Sequence, residues 1–236
     1  ILKAAGHDKN RERRKHPWQD DGQRRIVDSK ACGDQVVGYH QYLIGQLRRE
    51  AGELGLGSML VTFDRHPRQV LHADYVPSLL STLDEKVELL RQTQVDEVHV
   101  LHFTPEMASM DAQQFMREVL ADELHVAVLL MGYDHRIGRG GGTFPEYCAW
   151  GREAGIQVML ASALPGEKVS SSVIRRLLSQ GDVTGADELL GRTYRLTGMV
   201  RGGHRVGRLL GFPTANISLP AGKLIPAGGV YAVRVQ

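Results

Sequence analysis

An α/β architecture is what this sequence predicts, a parallel sheet with helices on both faces, followed by a smaller antiparallel β part. Three observations carry that expectation. From residue 40 onward, helix-period and strand-period segments alternate in stretches of about a dozen residues. Two short apolar runs, Ser58 to Phe63 (SMLVTF) and Val126 to Met131 (VAVLLM), have the length and content of strands buried on both faces. After Gly191 the texture changes to Gly, Pro, Thr and Val, with no helical period.

Leu43, Leu47, Ala51 and Leu54 recur at near-helical spacing and predict the first helix, with SMLVTF as the strand behind it. Thr82 with Glu85 is a capping-box signature ahead of Leu83, Val87 and Leu90, and Glu97 to Phe103 (EVHVLHF) predicts the next strand. Asp111 with Gln114 marks another helix start, Phe115 and Val119 give its apolar face, and VAVLLM follows as the central strand. A fourth helix is expected over roughly Pro145 to Ala154 and a last strand over Ile156 to Leu160. Right-handed crossovers between such units build a parallel sheet. Beyond residue 193, strand-like pieces at Tyr194–Val200 and Gly229–Val235 predict an antiparallel β domain. The expected division is a basic tail at 1–25, an α/β domain at 26–188 and a β domain at 189–236, with the boundary near 185–192.

Composition excludes several classes. With 42% hydrophobic and 24% charged residues the chain is not globally disordered. No apolar run approaches the ~18–20 residues that cross a bilayer, and the first 25 residues are charged where a secretory signal is apolar. Cys32 and Cys148 make no disulfide scaffold and no C-x-x-C pair, which fits a reducing cytoplasm. The net charge of +2 is concentrated in the tail, where eight Lys/Arg face four Asp/Glu. A nucleic-acid footprint would need basic residues on the body as well, so a solvated end is the favoured reading of the tail. The chain starts at Ile1 and stops within an apolar β-rich run at Gln236, which predicts a fragment of a longer protein.

Ligands of open α/β sheets bind beyond the carboxyl ends of strands. Polar, basic or glycine-rich segments follow three of the expected strands. Ser170, Ser171 and Ser172 precede Val173-Ile174, so hydroxyls and free N–H groups would converge at a helix N-terminus with Arg175 in the first turn. N-capping needs only one serine; three serines and an arginine favour phosphate. Gly132 to Gly142 lets backbone approach a ligand, with Arg136 and Arg139 adding positive charge, although no Walker loop or G-x-G-x-x-G is present. His66 before Pro67 is either a ligand contact or a strand-end turn residue. His40 opens the first helix, where an imidazole can meet a phosphate. The other eight histidines form no pair at metal-ligand spacing, which argues against a protein-held zinc. In the β part, Gly207 and Arg208 suit a phosphate loop, and Thr214 and Asn216 offer oxygens to a hard cation such as Mg²⁺.

These segments, in this order, resemble the bacterial bifunctional riboflavin kinase/FAD synthetase family. The resemblance covers roughly residues 40–236 through VTFDRHPRQVL (61–71), LSTLDEKVELL (80–90), LHFTPEMA (101–108), MGYDHRIGRG (131–140), VSSSVIRRLL (169–178) and GRLLGFPTAN (207–216). It implies a nucleotidyltransferase-like (Rossmann-like) α/β domain that adenylylates FMN, then part of an antiparallel β-barrel that phosphorylates riboflavin, both with ATP and Mg²⁺. It also implies roles. Ser170, Ser171, Ser172 and Arg175 would hold ATP phosphates, and His40 would be the second histidine of the H-x-G-H signature. Thr62, Phe63, His66, Gly132, Asp134, Arg136 and Gly138 would line the nucleotide and flavin cleft. In the kinase part, Gly207 and Arg208 would approach ATP, and Thr214 and Asn216 would hold Mg²⁺.

The chain departs from the family at one place. Against the pattern G-x-F-D-G-V-H-x-G-H, residues 31–40 keep only Asp34, Val36 and His40 in register; Val37 replaces the first histidine and Tyr39 the glycine. Residues 1–30 show no trace of the family's first strand. A lost transition-state donor costs on the order of 10²–10³ in rate, so an impaired adenylyltransferase is expected. The kinase's catalytic carboxylate is expected downstream of Gln236, so impaired kinase activity is expected too. The rival reading is a flavin- or nucleotide-binding protein without catalysis.

Overall fold

The computed structural model describes residues 25–28, 38–71, 74–76, 78–132, 136–162, 170–202, 211 and 214–236. Residues 1–24 of the expected basic tail, Cys32, Val37, Asp134, Gly207 and Arg208 lie outside the described residues, whereas its last residue, Arg25, belongs to a strand. At the centre is a five-stranded sheet in the order β3-β2-β1-β4-β5. Its strands are β1 (Arg25–Asp28), β2 (Gly57–Phe63), β3 (Glu97–Leu101), β4 (Val126–Met131) and β5 (Gln157–Leu160), and every ladder is parallel.

Both faces of this sheet are covered, as continuous apolar strands require. On one face, Leu43, Ile44, Leu47 and Ala51 of α1 (Gly38–Leu54) and Leu90 of α3 (Leu83–Arg91) close over Ile26, Leu60, Val128 and Leu130. On the other, Met116, Val119, Leu120 and Tyr147 cover Met59, Val61, Leu129 and Met131. Met59 and Val61 facing one way and Leu60 the other is the two-residue period of a strand.

The middle strand corrects the sequence reading. No strand was expected before residue 30, yet Arg25–Asp28 pairs with β2 on one side and β4 on the other, and Ile26 is fully buried. Four residues, RIVD, are too few to show a period, and they follow a charge-rich stretch. Their place is set by two strongly apolar neighbours and not by their own propensity.

Most other elements match expectation. Thr82 and Glu85 form the reciprocal capping box of α3. Asp111 accepts from the Gln114 N–H at 2.7 Å and opens α5 (Ala112–Gln114), which widens at once into a π-helical stretch over Phe115–Glu123. α6 spans Phe144–Glu153. The short helices α2 (Pro67–Leu71) and α4 (Pro105–Ser109), each opened by a proline, were not anticipated. β3 also stops earlier than EVHVLHF suggested, because the Asp64 carboxylate takes the Phe103 N–H that a longer ladder would use.

Past the sheet, α7 (Ser171–Ser179) and the unanticipated α8 (Val183–Leu190) pack on Leu80 through Ile174, Leu178, Ala186 and Leu190. Gly191, in the left-handed region at φ 65°, ends α8 where the helical texture of the sequence ends. β6 (Met199–Arg201) and β7 (Asn216–Ser218) then pair antiparallel. Only the end of the expected Tyr194–Val200 strand enters this pair. Gly229–Val235 forms no strand, since no segment among the described residues lies alongside to share its hydrogen bonds, and Val230, Val233 and Val235 are exposed. No helix among the described residues is long and apolar enough to cross a membrane.

Candidate functional site

Strand order reverses between β1 and β4, so the crevice for a ligand opens beyond the carboxyl ends of these strands. α1 starts at Gly38, which places His40 in the first turn of the helix that follows β1; its side chain lies outside the described groups. Gly132 is buried directly after β4.

At the end of β2, Thr62 is fully buried and its hydroxyl has no hydrogen-bond partner. Phe63 packs edge-on to Phe103, with ring centroids 4.9 Å apart, against the core of one face. The buried Lys86 of α3 donates to the Phe63 carbonyl at 3.1 Å. His66 acts as a turn residue in this structure: its Nδ1 accepts from the Arg68 N–H, and its own N–H donates to Gln69 Oε1.

Sequence reasoning singled out neither Asp64 nor His102. Asp64 joins β2 to β3, accepting from Phe103 N–H at 3.0 Å and pairing with His102 Nδ1 at 2.5 Å. The only signal was position, since each follows a strand. Burial raises the Asp64 carboxyl, but the Phe103 amide and His102 outweigh it and hold it below its ordinary 3.8. Glu85 behaves alike: burial raises it, while Lys223 and the Thr82 amide pull it below 4.5. Carboxyls with lowered folded values stabilise the chain above their unfolded values and lose that contribution as pH falls through the folded ones. The urea midpoint is therefore expected to fall between about pH 6 and about pH 3, and the fall to be shallower in Glu85→Gln. Equal slopes in the two proteins would contradict the assignment.

The glycine-rich segment after β4 is held by protein. Arg139 N–H donates to the Met110 carbonyl at 2.7 Å, and Ile137 N–H donates to the buried Tyr147 hydroxyl at 3.0 Å. Gly138, at φ 70°, has no room for a Cβ, which would fall 2.4 Å from Ala112 N. Its close approach is to the start of α5. Arg136 is exposed.

Ser170 is the N-cap of α7, accepting from the Ser172 N–H at 3.3 Å. Arg175 is the fifth residue of this helix, one position past the first turn predicted for it, because the helix proper begins only at Ser171. Its Nε donates to the Ser78 carbonyl at 2.7 Å. Ser171 and Ser172 lie at the helix start beside it.

In the β part, Thr214 and Asn216 are exposed, the latter opening β7. Each carries a neutral side-chain oxygen, a ligand type that Mg²⁺ accepts. Among the described residues no group of three or more His, Cys, Asp and Glu could hold a metal by itself.

Two family descriptions match successive parts of the chain. Residues 37–173 match the family described as FAD synthetase, and residues 190–236 match riboflavin kinase. A bifunctional riboflavin kinase/FMN adenylyltransferase of Haemophilus influenzae is 34% identical over 84% of this chain and 65% of its own length. The protein of that name from Bacillus subtilis is 34% identical over 89% of this chain and 70% of its own. The chain thus spans about two thirds of the length of these relatives. A crystal structure described as a macrolide-efflux protein from Streptococcus pneumoniae superposes with a TM-score of 0.74 at 27% identity, over 89% of this chain and 68% of that one. With two family matches in tandem and relatives of this similarity, the chain belongs to the bifunctional riboflavin kinase/FMN adenylyltransferase family.

Proposed function

We propose that the chain works in flavin cofactor biosynthesis, with an FMN adenylyltransferase module over about residues 26–188 and a riboflavin kinase β-barrel segment over 189–236. The observation that carries this reading is the tandem order of the two family matches. In the first reaction an FMN phosphate oxygen attacks the α-phosphorus of ATP; a new P–O bond forms, the bond to the β-phosphate oxygen breaks, and pyrophosphate leaves. No covalent enzyme intermediate is needed, so the residues act by positioning and charge. Ser170, Ser171 and Ser172 hold phosphate oxygens at the start of α7, and Arg175 supplies the cation. His40 donates from the first turn of α1. Thr62, with its buried unpartnered hydroxyl, joins Phe63, His66, Gly132, Asp134, Arg136 and Gly138 in lining the cleft. In the second reaction a riboflavin hydroxyl attacks the γ-phosphorus of ATP and loses its proton, the bond to the β-phosphate oxygen breaks and ADP leaves, while Gly207 and Arg208 hold the ATP phosphates. Thr214 and Asn216 would hold Mg²⁺ there, which would neutralise phosphate charge. Small molecules are the partners, and the cytoplasm is the compartment.

Val37 and Tyr39 favour a second reading, in which the first site binds nucleotide and flavin without turnover. Equilibrium binding and pyrophosphate release with ATP, Mg²⁺ and FMN separate the two. We expect binding of both ligands and slow FAD formation, with Arg175→Met weakening ATP about tenfold through loss of a charge-assisted hydrogen bond. Binding without pyrophosphate selects the second reading, and absence of binding overturns both.

A further inference from the structure

One buried ion pair joins the two family segments. Lys223, inside the riboflavin kinase match, reaches Glu85 of α3 with Nζ–Oε2 2.6 Å, and their side chains are 1% and 7% exposed. The same ammonium donates to the Leu80 carbonyl at 2.8 Å and lies 4.6 Å from the centre of the Tyr194 ring. Glu85 Oε2 also accepts from Thr82 N–H, so one carboxylate both caps α3 and receives the lysine. Around the pair the backbones are laced together. Leu79 N–H donates to the Gly222 carbonyl and Leu224 N–H to the Leu79 carbonyl, while Arg192 reaches the Ser81 hydroxyl.

The segment that Lys223 grips is also the one that holds Arg175, through the Ser78 carbonyl. Four residues past Lys223, Ala227 N–H donates to the Leu178 carbonyl on the last turn of α7. The irregular run 222–227 is therefore bonded to residues 79–80 on one side and to α7 on the other. Removing the lysine leaves a buried carboxylate without its cation, which must draw in water or a proton and so disturb the cap and residues 78–82.

We propose that Lys223 is a positioning residue for the first module: it sets the placement of residues 78–86 and α7, and thereby the affinity of that module for ATP. The consequence for ATP rests on the function proposed above; the mechanical link does not. The kinase-type segment is then a structural part of the adenylyltransferase phosphate site.

The test uses the full chain and Lys223→Met, with the charge-free pair Glu85→Gln/Lys223→Met as the second variant should the first fail to fold. Hydrogen exchange without ligand is expected to show faster exchange in 78–86 and 170–178 and unchanged protection in β2 and β4. Binding is expected to show ATP weakened about 5- to 10-fold and FMN unchanged within about twofold, a split that general destabilisation would not produce. Unchanged exchange in α7, or ATP affinity that falls in Arg175→Met but not in Lys223→Met, overturns the proposal. Looser α7 in a chain that binds no ATP in any form overturns the function reading and leaves the link standing.

Discussion

A chain carrying Val37→His and Tyr39→Gly should make FAD from FMN and ATP on the order of 10²–10³ times faster than the unaltered chain. By the family pattern, the first change would restore a donor for charge that develops at the α-phosphate of the transferred adenylyl group. The second removes a ring from the helix start, where backbone is needed close to phosphate. Of the described elements, β1 fills the centre of the sheet, and α1, which carries Tyr39, begins at Gly38. The measurement is pyrophosphate release under saturating ATP, Mg²⁺ and FMN. Equal rates for the two proteins would mean that some other step or residue limits the reaction.

Gly138→Ala is expected to destabilise the chain by at least about 2 kcal/mol, which for a domain of this size lowers Tm by roughly 4–8 °C. Left-handed backbone costs a residue with a Cβ about 1–2 kcal/mol. The added carbon would also stand 2.4 Å from Ala112 N and 2.5 Å from Asp111 C, so the loop has to leave the start of α5. Gly141→Ala is the control, because at φ 66° it carries similar strain but meets only the flexible Arg136 side chain, at 3.2 Å. Thermal unfolding of the two variants separates strain from contact, and equal losses would remove the contact as a cause.

The sheet was legible wherever a strand was long and apolar. β2 and β4 announce themselves because both of their faces are buried, and the capping box of α3 shows in two letters, Thr82 and Glu85. β1 was hidden because its four residues borrow their identity from neighbours that are distant in sequence. Gly229–Val235 failed in the opposite way, having strand composition but no neighbour among the described residues. In the site, Ser170 was readable as a cap, since capping is local. The Asp64–His102 pair was not, because it depends on the β2–β3 register across 38 residues. The close approach of Gly138 to Ala112 was not legible either, because it depends on how the loop after β4 meets the start of α5.

The lysine at 223 and its carboxylate lie 138 residues apart in the chain. On a ribosome adding about 5–20 residues per second, Glu85 emerges roughly 7–30 s before its cation exists. Through that interval α3 has its Thr82 cap but a carboxylate still in water, and residues 78–81 lack the 222–224 backbone that bonds Leu79. If Lys223 positions the first module as proposed, that module reaches its final form only when the later segment arrives, so pausing or cleavage between residues 191 and 222 should yield a sheet that is assembled and an α7 that is still loose.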